Sequence, residues 1–429
     1  MPHSYQIFPS TLLGILSPPT SKSHTLRSIL FASLAEGESC LSGLLDSPDA
    51  LAMKQACVSL GATIVEESLG QLRIRGVAGR PHMARDIIHS GNSGQVLRFV
   101  SAVAALSTGY TVITGDESVR TNRPILPLME GLRGLGAFCA ANEDHPPLII
   151  RGPIQPGCTI LDGSDSQPVS ALLIAASLLR GTTEIHVRNP GELPWVGLTL
   201  AWLTSLGVQW ENDAYTRFVV HGRGGFSGFT YKVPADFSSL LYPVVAAIVT
   251  RSSLTLENVD CTDVQGDKQV LVWLQEMGAA LTVDAQHRRI EVRPGPRLRG
   301  MEIDVNPCID SLPLLAVLAC FAEGKTRLYN AAIARKKESD RLSAITTELR
   351  KMGAQIHETE EALEITPALL HGAQLESHCD HRIVMALSVA ALAATGASHM
   401  QGCHWVKKSY SEFFTDMQAI GAKMEPMSC

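Results

Sequence analysis

The sequence has little spare positive charge. Its 429 residues carry 36 Lys and Arg against 42 Asp and Glu, a formal net charge of -6. There is no basic tail or stripe, which argues against nucleic acid as a main partner. Any anion binding must therefore come from local arrangement rather than bulk charge. The ten cysteines form no Cys-x-x-Cys pair and no cluster at metal-ligand spacing. That excludes a cysteine-ligated metal site and a disulfide framework, and it points to reduced, mostly buried thiols in a cytoplasmic protein. Long apolar runs are missing too. Stretches such as Val169 to Leu179 and Leu312 to Ala322 are too short to span a bilayer, so no membrane partner is expected. Met1-Pro2-His3-Ser4-Tyr5 has no basic segment leading into an apolar run, and no signal peptide is expected. What is present is apolar: 45% of residues are hydrophobic and 18% charged. That composition buries a large core, and the length suits two or three domains.

A repeat organises the chain. Helical patterns end in a large apolar residue, a glycine and a small residue at Leu60-Gly61-Ala62, Leu135-Gly136-Ala137, Leu206-Gly207-Val208, Met277-Gly278-Ala279, Met352-Gly353-Ala354 and Ile420-Gly421-Ala422. Successive glycines are 75, 71, 71, 75 and 68 residues apart. Each glycine suits the position just past a helix, where a left-handed backbone ends it without Cβ strain. A period near 70 is the size of a small unit with two helices and several strands. Within the units, polar, cap-rich segments open nearly all-apolar helices: Gly91-Asn92-Ser93-Gly94, Gly163-Ser164-Asp165-Ser166-Gln167, Asp236-Phe237-Ser238-Ser239, Asp310-Ser311 and Asp380-His381-Arg382. Helices apolar on all sides are buried. Several such helices with their N-termini converging would form an anion-binding floor.

The candidate chemistry lies at such entries. In Ser21-Lys22-Ser23-His24-Thr25-Leu26-Arg27, after Pro18-Pro19, two cations and several hydroxyls crowd a capped helix start. The segment reads either as a seat for two negative groups of one substrate or as an ordinary surface helix. The run Lys336-Lys337-Glu338-Ser339-Asp340-Arg341 reads equally as a solvated face. Asp380-His381-Arg382 is harder to assign to the surface, because charge entering a buried helix needs a partner.

Taken in order, Ser21-Lys22-Ser23 with Arg27, Gly91-Asn92-Ser93-Gly94 with Arg98, Arg123-Pro124, Ser166-Gln167 with Ser170-Ala171-Leu172, Lys337-Glu338-Ser339-Asp340-Arg341 and Asp380-His381-Arg382 resemble the 5-enolpyruvylshikimate-3-phosphate synthase family over essentially the whole chain. The resemblance implies an α/β fold of α+β repeats, in two inverse α/β barrel-like domains. Each domain has three βαβαββ units, six in all. One domain would comprise residues 1–17 with 231–429, the other the inserted residues 18–230, with substrates in the cleft between them. It implies transfer of the carboxyvinyl group of phosphoenolpyruvate to the 5-hydroxyl of shikimate 3-phosphate with release of phosphate. This step belongs to the shikimate pathway of aromatic amino acid biosynthesis and is the target of glyphosate. No metal or organic cofactor is implied, and a monomer is expected.

By the same resemblance, Lys22, Gly94, Arg123, Gln167, Arg341, Arg382 and Lys408 contact phosphoenolpyruvate. Lys22, Ser23, Arg27, Ser166, Gln167, Asp310 and Lys337 contact shikimate 3-phosphate. Asp310 is the implied base for the 5-hydroxyl, and Glu338 and Lys22 the proton donors and acceptors. The sequence departs from the family pattern at Thr20, Gln95, Asp165, Glu192, Trp195 and Ile333. Two hydroxyl positions on the phosphate side are carboxylates, Asp165 and Glu192. Ser164 is expected to supply a hydroxyl there, with Asp165 turned outward. Two other activities share this scaffold. UDP-N-acetylglucosamine enolpyruvyl transferase would show Asn after the first Lys and a loop cysteine before Arg-Pro, whereas Ser23 follows Lys22 and no cysteine lies between Ala104 and Pro124. A non-catalytic anion-binding protein would not need both Asp310 and Glu338.

Overall fold

The computed structural model describes residues 2–427. Its strands form six four-stranded mixed sheets. The unit is clearest in the middle of the chain. Strand Ile88–His89 leads through helix Gly94–Ala104 to strand Tyr110–Thr114, and helix Leu126–Gly134 then precedes strands Phe138–Asn142 and His145–Arg151. The first two strands pair in parallel, as a helical crossover requires, and the last two add antiparallel. The six repeated glycines all take positive φ, from 75° at Gly207 to 103° at Gly61, one residue past a helix C-cap. There they end helices without a Cβ clash.

Two compact units result, one running through Pro19 and resuming at Pro234, the other Thr20–Val233. The insertion splits a single repeat. Strand Leu13–Leu16 pairs in parallel with Ser253–Leu256, although the whole inserted unit lies between them in sequence. Strand Thr230–Lys232 pairs with Cys40–Ser42, so its hydrogen bonds bind it to the inserted unit. The boundary therefore falls two or three residues later than the 17/18 and 230/231 expected from sequence. Near the N-terminus, Ser4–Ile7 pairs antiparallel with both Ser398–Gln401 and Met424–Met427.

Each unit has its own continuous apolar core. The apolar helices lie in those cores; every residue of His381–Leu392 is buried, and all of Leu312–Phe321 except its last. No helix among the described residues is long and apolar enough to cross a membrane.

Candidate active site

In the discontinuous unit, the buried helices meet at their N-terminal ends, and the charged residues there form one network. Arg341 is 1% exposed and sits at the start of helix Arg341–Lys351, capped by Asp340. Its Nε donates to Asp380 Oδ2 at 2.7 Å, Nη1 to Asp310 Oδ1 at 2.6 Å and Nη2 to Glu338 Oε2 at 2.7 Å. A planar fork is the only side chain able to hold three carboxylates in this way. Lys408 Nζ reaches the other oxygen of Glu338 at 2.8 Å, and Arg382 Nη2 donates to Asp310 Oδ2 at 3.2 Å. Arg382 Nε and Nη1 are buried, with the hydroxyl of Tyr242 and the carboxyl of Asp267 beside the guanidinium.

Burial would raise the pKa of Asp310. The charges of Arg382, Arg341 and Lys337 outweigh it and hold the carboxyl far below the usual range. Asp310 is 28% exposed at its side chain, accessible and fully ionised. The run Lys337 to Arg341 is thus no solvated face: Lys337, Glu338 and Arg341 are all buried.

Beneath this network lies a residue the sequence reading passed over. Asp267, fully buried, accepts a hydrogen bond from Ser238 Oγ, and its Oδ1 has no partner among the described residues. Burial, opposed by the charge of Arg382, pushes its pKa up to about 7. Between the ordinary carboxylate range and that value, the folded protein holds a proton that the unfolded chain has released. This group therefore makes stability fall as pH rises from about 4 to about 7, and level off above. Asp267→Asn should flatten the pH dependence of the unfolding midpoint across that window. A variant with the wild-type slope would remove Asp267 as its source.

In the inserted unit, Ser21 caps helix Lys22–Leu34 by accepting from the His24 N–H. Lys22, in its first turn, points Nζ at Asp49 Oδ2, 3.6 Å away. Asp49 is 3% exposed and also escaped the sequence reading, since Ser47-Pro48-Asp49 looks like an ordinary helix start. Arg98, 1% exposed, donates through Nη1 to Gln167 Oε1 at 2.9 Å and through Nη2 to Pro124 O at 2.9 Å. Gly94 lies where these groups meet. A Cβ there would stand 2.7 Å from Arg98 Nη1, 3.3 Å from Gln167 Oε1 and 3.5 Å from Arg123 Nη1.

Arg27 is turned away from this group. It donates to Thr199 Oγ1 at 3.1 and 2.9 Å, to Trp195 O and to Ser23 O. Burial pulls its pKa down to about 9, so it stays charged at neutrality.

The phosphate-side expectation needs correction. Asp165 does not point outward. Its Oδ1 accepts from the Gln167 N–H at 2.9 Å, and its Oδ2 pairs with Arg98 Nη2 at 3.1 Å, because a buried guanidinium and a helix N-terminus both demand an anion. Nor is Ser164 a spare hydroxyl, since its Oγ donates to Asp162. Glu192 accepts from both the N–H and the Oγ of Ser166, at 2.9 and 3.0 Å.

Seven predicted site residues, Lys22, Ser23, Arg27, Gly94, Arg123, Ser166 and Gln167, thus belong to the inserted unit. Another six, Asp310, Lys337, Glu338, Arg341, Arg382 and Lys408, belong to the discontinuous one. Ion pairs or shared charge link the second group into one cluster. In the first group Gly94, Arg123 and Gln167 adjoin, while Lys22, Ser166 and Arg27 each face other partners. Among the described residues no group of three or more His, Cys, Asp and Glu stands where it could hold a metal ion.

A family model described as EPSP synthase (3-phosphoshikimate 1-carboxyvinyltransferase) matches residues 8–417. The protein named 3-phosphoshikimate 1-carboxyvinyltransferase from Chlamydia caviae is 41% identical, over 98% of this chain and 94% of its own. One of the same name from Acetivibrio thermocellus is 40% identical, over 95% of this chain and 96% of its own. Among solved structures, EPSP synthase from Acinetobacter baumannii superposes with a TM-score of 0.81 at 28% identity, covering 98% of this chain and 99% of that one. The enolpyruvyl transferase NikO from Streptomyces tendae shares the fold, with a TM-score of 0.80 at 17% identity.

Proposed function

This chain belongs to the EPSP synthase family and transfers the enolpyruvyl group of phosphoenolpyruvate to shikimate 3-phosphate, and we propose that the two side-chain clusters described above serve that one reaction. In this reading Arg382, Arg341, Lys408, Arg123, Lys22, Gln167 and the Gly94 N–H receive phosphoenolpyruvate. Ser23, Arg27, Ser166, Gln167, Lys22, Asp310 and Lys337 serve shikimate 3-phosphate. Asp310 takes the proton of the 5-hydroxyl, while Glu338 and Lys22 move protons at the enolpyruvyl carbon. The observation that carries the reading is the triple clamp of Arg341 on Asp310, Glu338 and Asp380. Acid–base chemistry at an enol carbon needs titratable groups held in fixed positions, and a simple anion receptor has no use for two ionised carboxylates among its cations.

The clamp also supplies a sequence of events. With Arg341 and Arg382 on its two oxygens, Asp310 is too weak a base to draw a proton from an alcohol. An anionic substrate that engages Arg382 adds negative charge beside Asp310 and competes with it for the guanidinium. Both effects raise the basicity of Asp310. Base strength thus appears when phosphoenolpyruvate is bound.

A phosphate-release assay with phosphoenolpyruvate and shikimate 3-phosphate tests the reading. Release with these two supports it, and release only with UDP-N-acetylglucosamine as acceptor would overturn it. Gly94→Ala is a finer test. The added methyl enters the point shared by Arg98, Gln167 and Arg123. Displacing a packed group of this kind should raise the KM for phosphoenolpyruvate about ten-fold. An unchanged KM would remove Gly94 from the seat. We propose that the enzyme works in the cytoplasm as a monomer.

A further inference from the structure

We propose that Glu192 is a resident anion that occupies the phosphate-binding donors of Ser166 until shikimate 3-phosphate displaces it, and so sets the affinity for the phosphorylated substrate. The inference rests on the reading above, in which Ser166 meets the 3-phosphate.

Helix Ser166–Ser177 presents its first N–H groups at its N-terminal end, where an anion is favoured. Both leading donors are already taken by this chain's own carboxylates. Glu192 Oε2 holds the N–H and the hydroxyl of Ser166. Asp165 holds the N–H of Gln167 and pairs with Arg98, the nearby guanidinium. The positive end of the helix and its neighbouring cation are therefore matched before any substrate arrives. A phosphate carrying about two negative charges cannot share Ser166 with an ionised carboxylate a few ångströms away. One resident anion must leave.

Asp165 is the less movable of the two, because it caps its own helix and is tied to a buried arginine. Glu192 has a longer side chain and stands on a left-handed backbone, φ 48° and ψ 40°, with no side-chain cap bond to the helix that follows it. Its backbone is anchored: the Gly191 N–H donates to Gly163 O at 3.0 Å, and the Trp195 N–H to Glu192 O at 3.0 Å. Displacement is thus a side-chain rotation about a fixed main chain. The device discriminates. Inorganic phosphate, with no ring or carboxylate to hold it elsewhere, lacks the contacts needed to displace Glu192, whereas the whole substrate has them.

Glu192→Gln removes the charge and keeps the shape and the acceptor oxygen. Steady-state kinetics of this variant and of Glu192→Ser, with shikimate 3-phosphate varied, should show its KM falling about ten-fold, as expected for deleting one like charge at this distance. The KM for phosphoenolpyruvate is the internal control. Inorganic phosphate should become a competitive inhibitor against shikimate 3-phosphate, and should raise the melting temperature of the variants more than that of the wild type. A KM for shikimate 3-phosphate that is unchanged or raised in both variants, with no gain in inorganic phosphate binding, would overturn the proposal. Loss of stability with a raised KM is the signature of a purely structural anchor and would overturn it too. Wild-type phosphate release is measured first. Its absence would defeat the functional reading itself, and the melting comparison with inorganic phosphate would still decide whether Glu192 guards the helix N-terminus.

Discussion

Lys22→Ala is expected to lower turnover about a thousand-fold, the usual scale for removing a positioned proton-transfer group, while the protein still folds. The side chain lies in the first turn of a helix, 16% exposed, with Asp49 as its ion-pair partner. Lys22 is not one of the apolar residues that form the core of the inserted unit. Deleting its side chain does leave Asp49, 3% exposed, without that cation, although the N-terminal end of helix Pro48–Ser59 still favours the carboxylate. Stability should drop by about 1–2 kcal/mol, the cost of leaving a buried hydrogen-bonding group poorly matched. The double variant Lys22→Ala with Asp49→Asn separates the two effects. It should recover the denaturation midpoint and remain inactive. Wild-type turnover in Lys22→Ala would take Lys22 out of the chemistry. A double variant that regains turnover would make the lysine a structural counter-ion only.

Arg341→Ala should be the most damaging substitution for the fold. It strips one cation from Asp310, Glu338 and Asp380, of which Asp380 is fully buried. Removing one member of a buried ionic cluster costs about 3–5 kcal/mol, because charges are left unpaired in a poorly solvated site. Arg341→Lys should fall between, since an ammonium cannot bind three carboxylates as a fork does.

The pH response gives the second signature. In the wild type, Asp310 is held far below its ordinary range, so its contribution is present above about pH 4 and is lost only in strong acid. Without Arg341 the carboxylates titrate higher. Mild acid then relieves their repulsion, so the stability deficit of the variant should shrink from pH 7.5 to about pH 5. Urea midpoints at the two values read this directly. A deficit that is small, or that widens in mild acid, would show that the cluster does not depend on Arg341.

Much of the architecture is legible in sequence, because local rules write it there. A helix must end, and a glycine past its cap ends it; Gly61, Gly136, Gly207, Gly278, Gly353 and Gly421 therefore announce the repeat before any contact is known. Helices buried on every side have no polar face to conceal, so Leu312–Phe321 and His381–Leu392 stand out from their letters alone. The polar entries to those helices, and the ordered motifs within them, also mark where chemistry collects.

Only the tertiary structure decided how those charges pair. Arg341 meets Asp310 across 31 residues and Asp380 across 39, and Arg382 meets Asp310 across 72. Such distances are closed by the register of the sheets and the meeting of helix ends, which no local periodicity encodes. A Lys-Glu-Ser-Asp-Arg run has the same letters whether it faces water or a buried network. Asp49 and Asp267 look like turn and cap residues until Lys22 and Ser238 are seen against them. Asp165 and Glu192 were legible as departures from a pattern, but their direction was not. A carboxylate near a helix N-terminus turns toward whichever donor the fold brings within reach, and the fold brought Arg98 and Ser166.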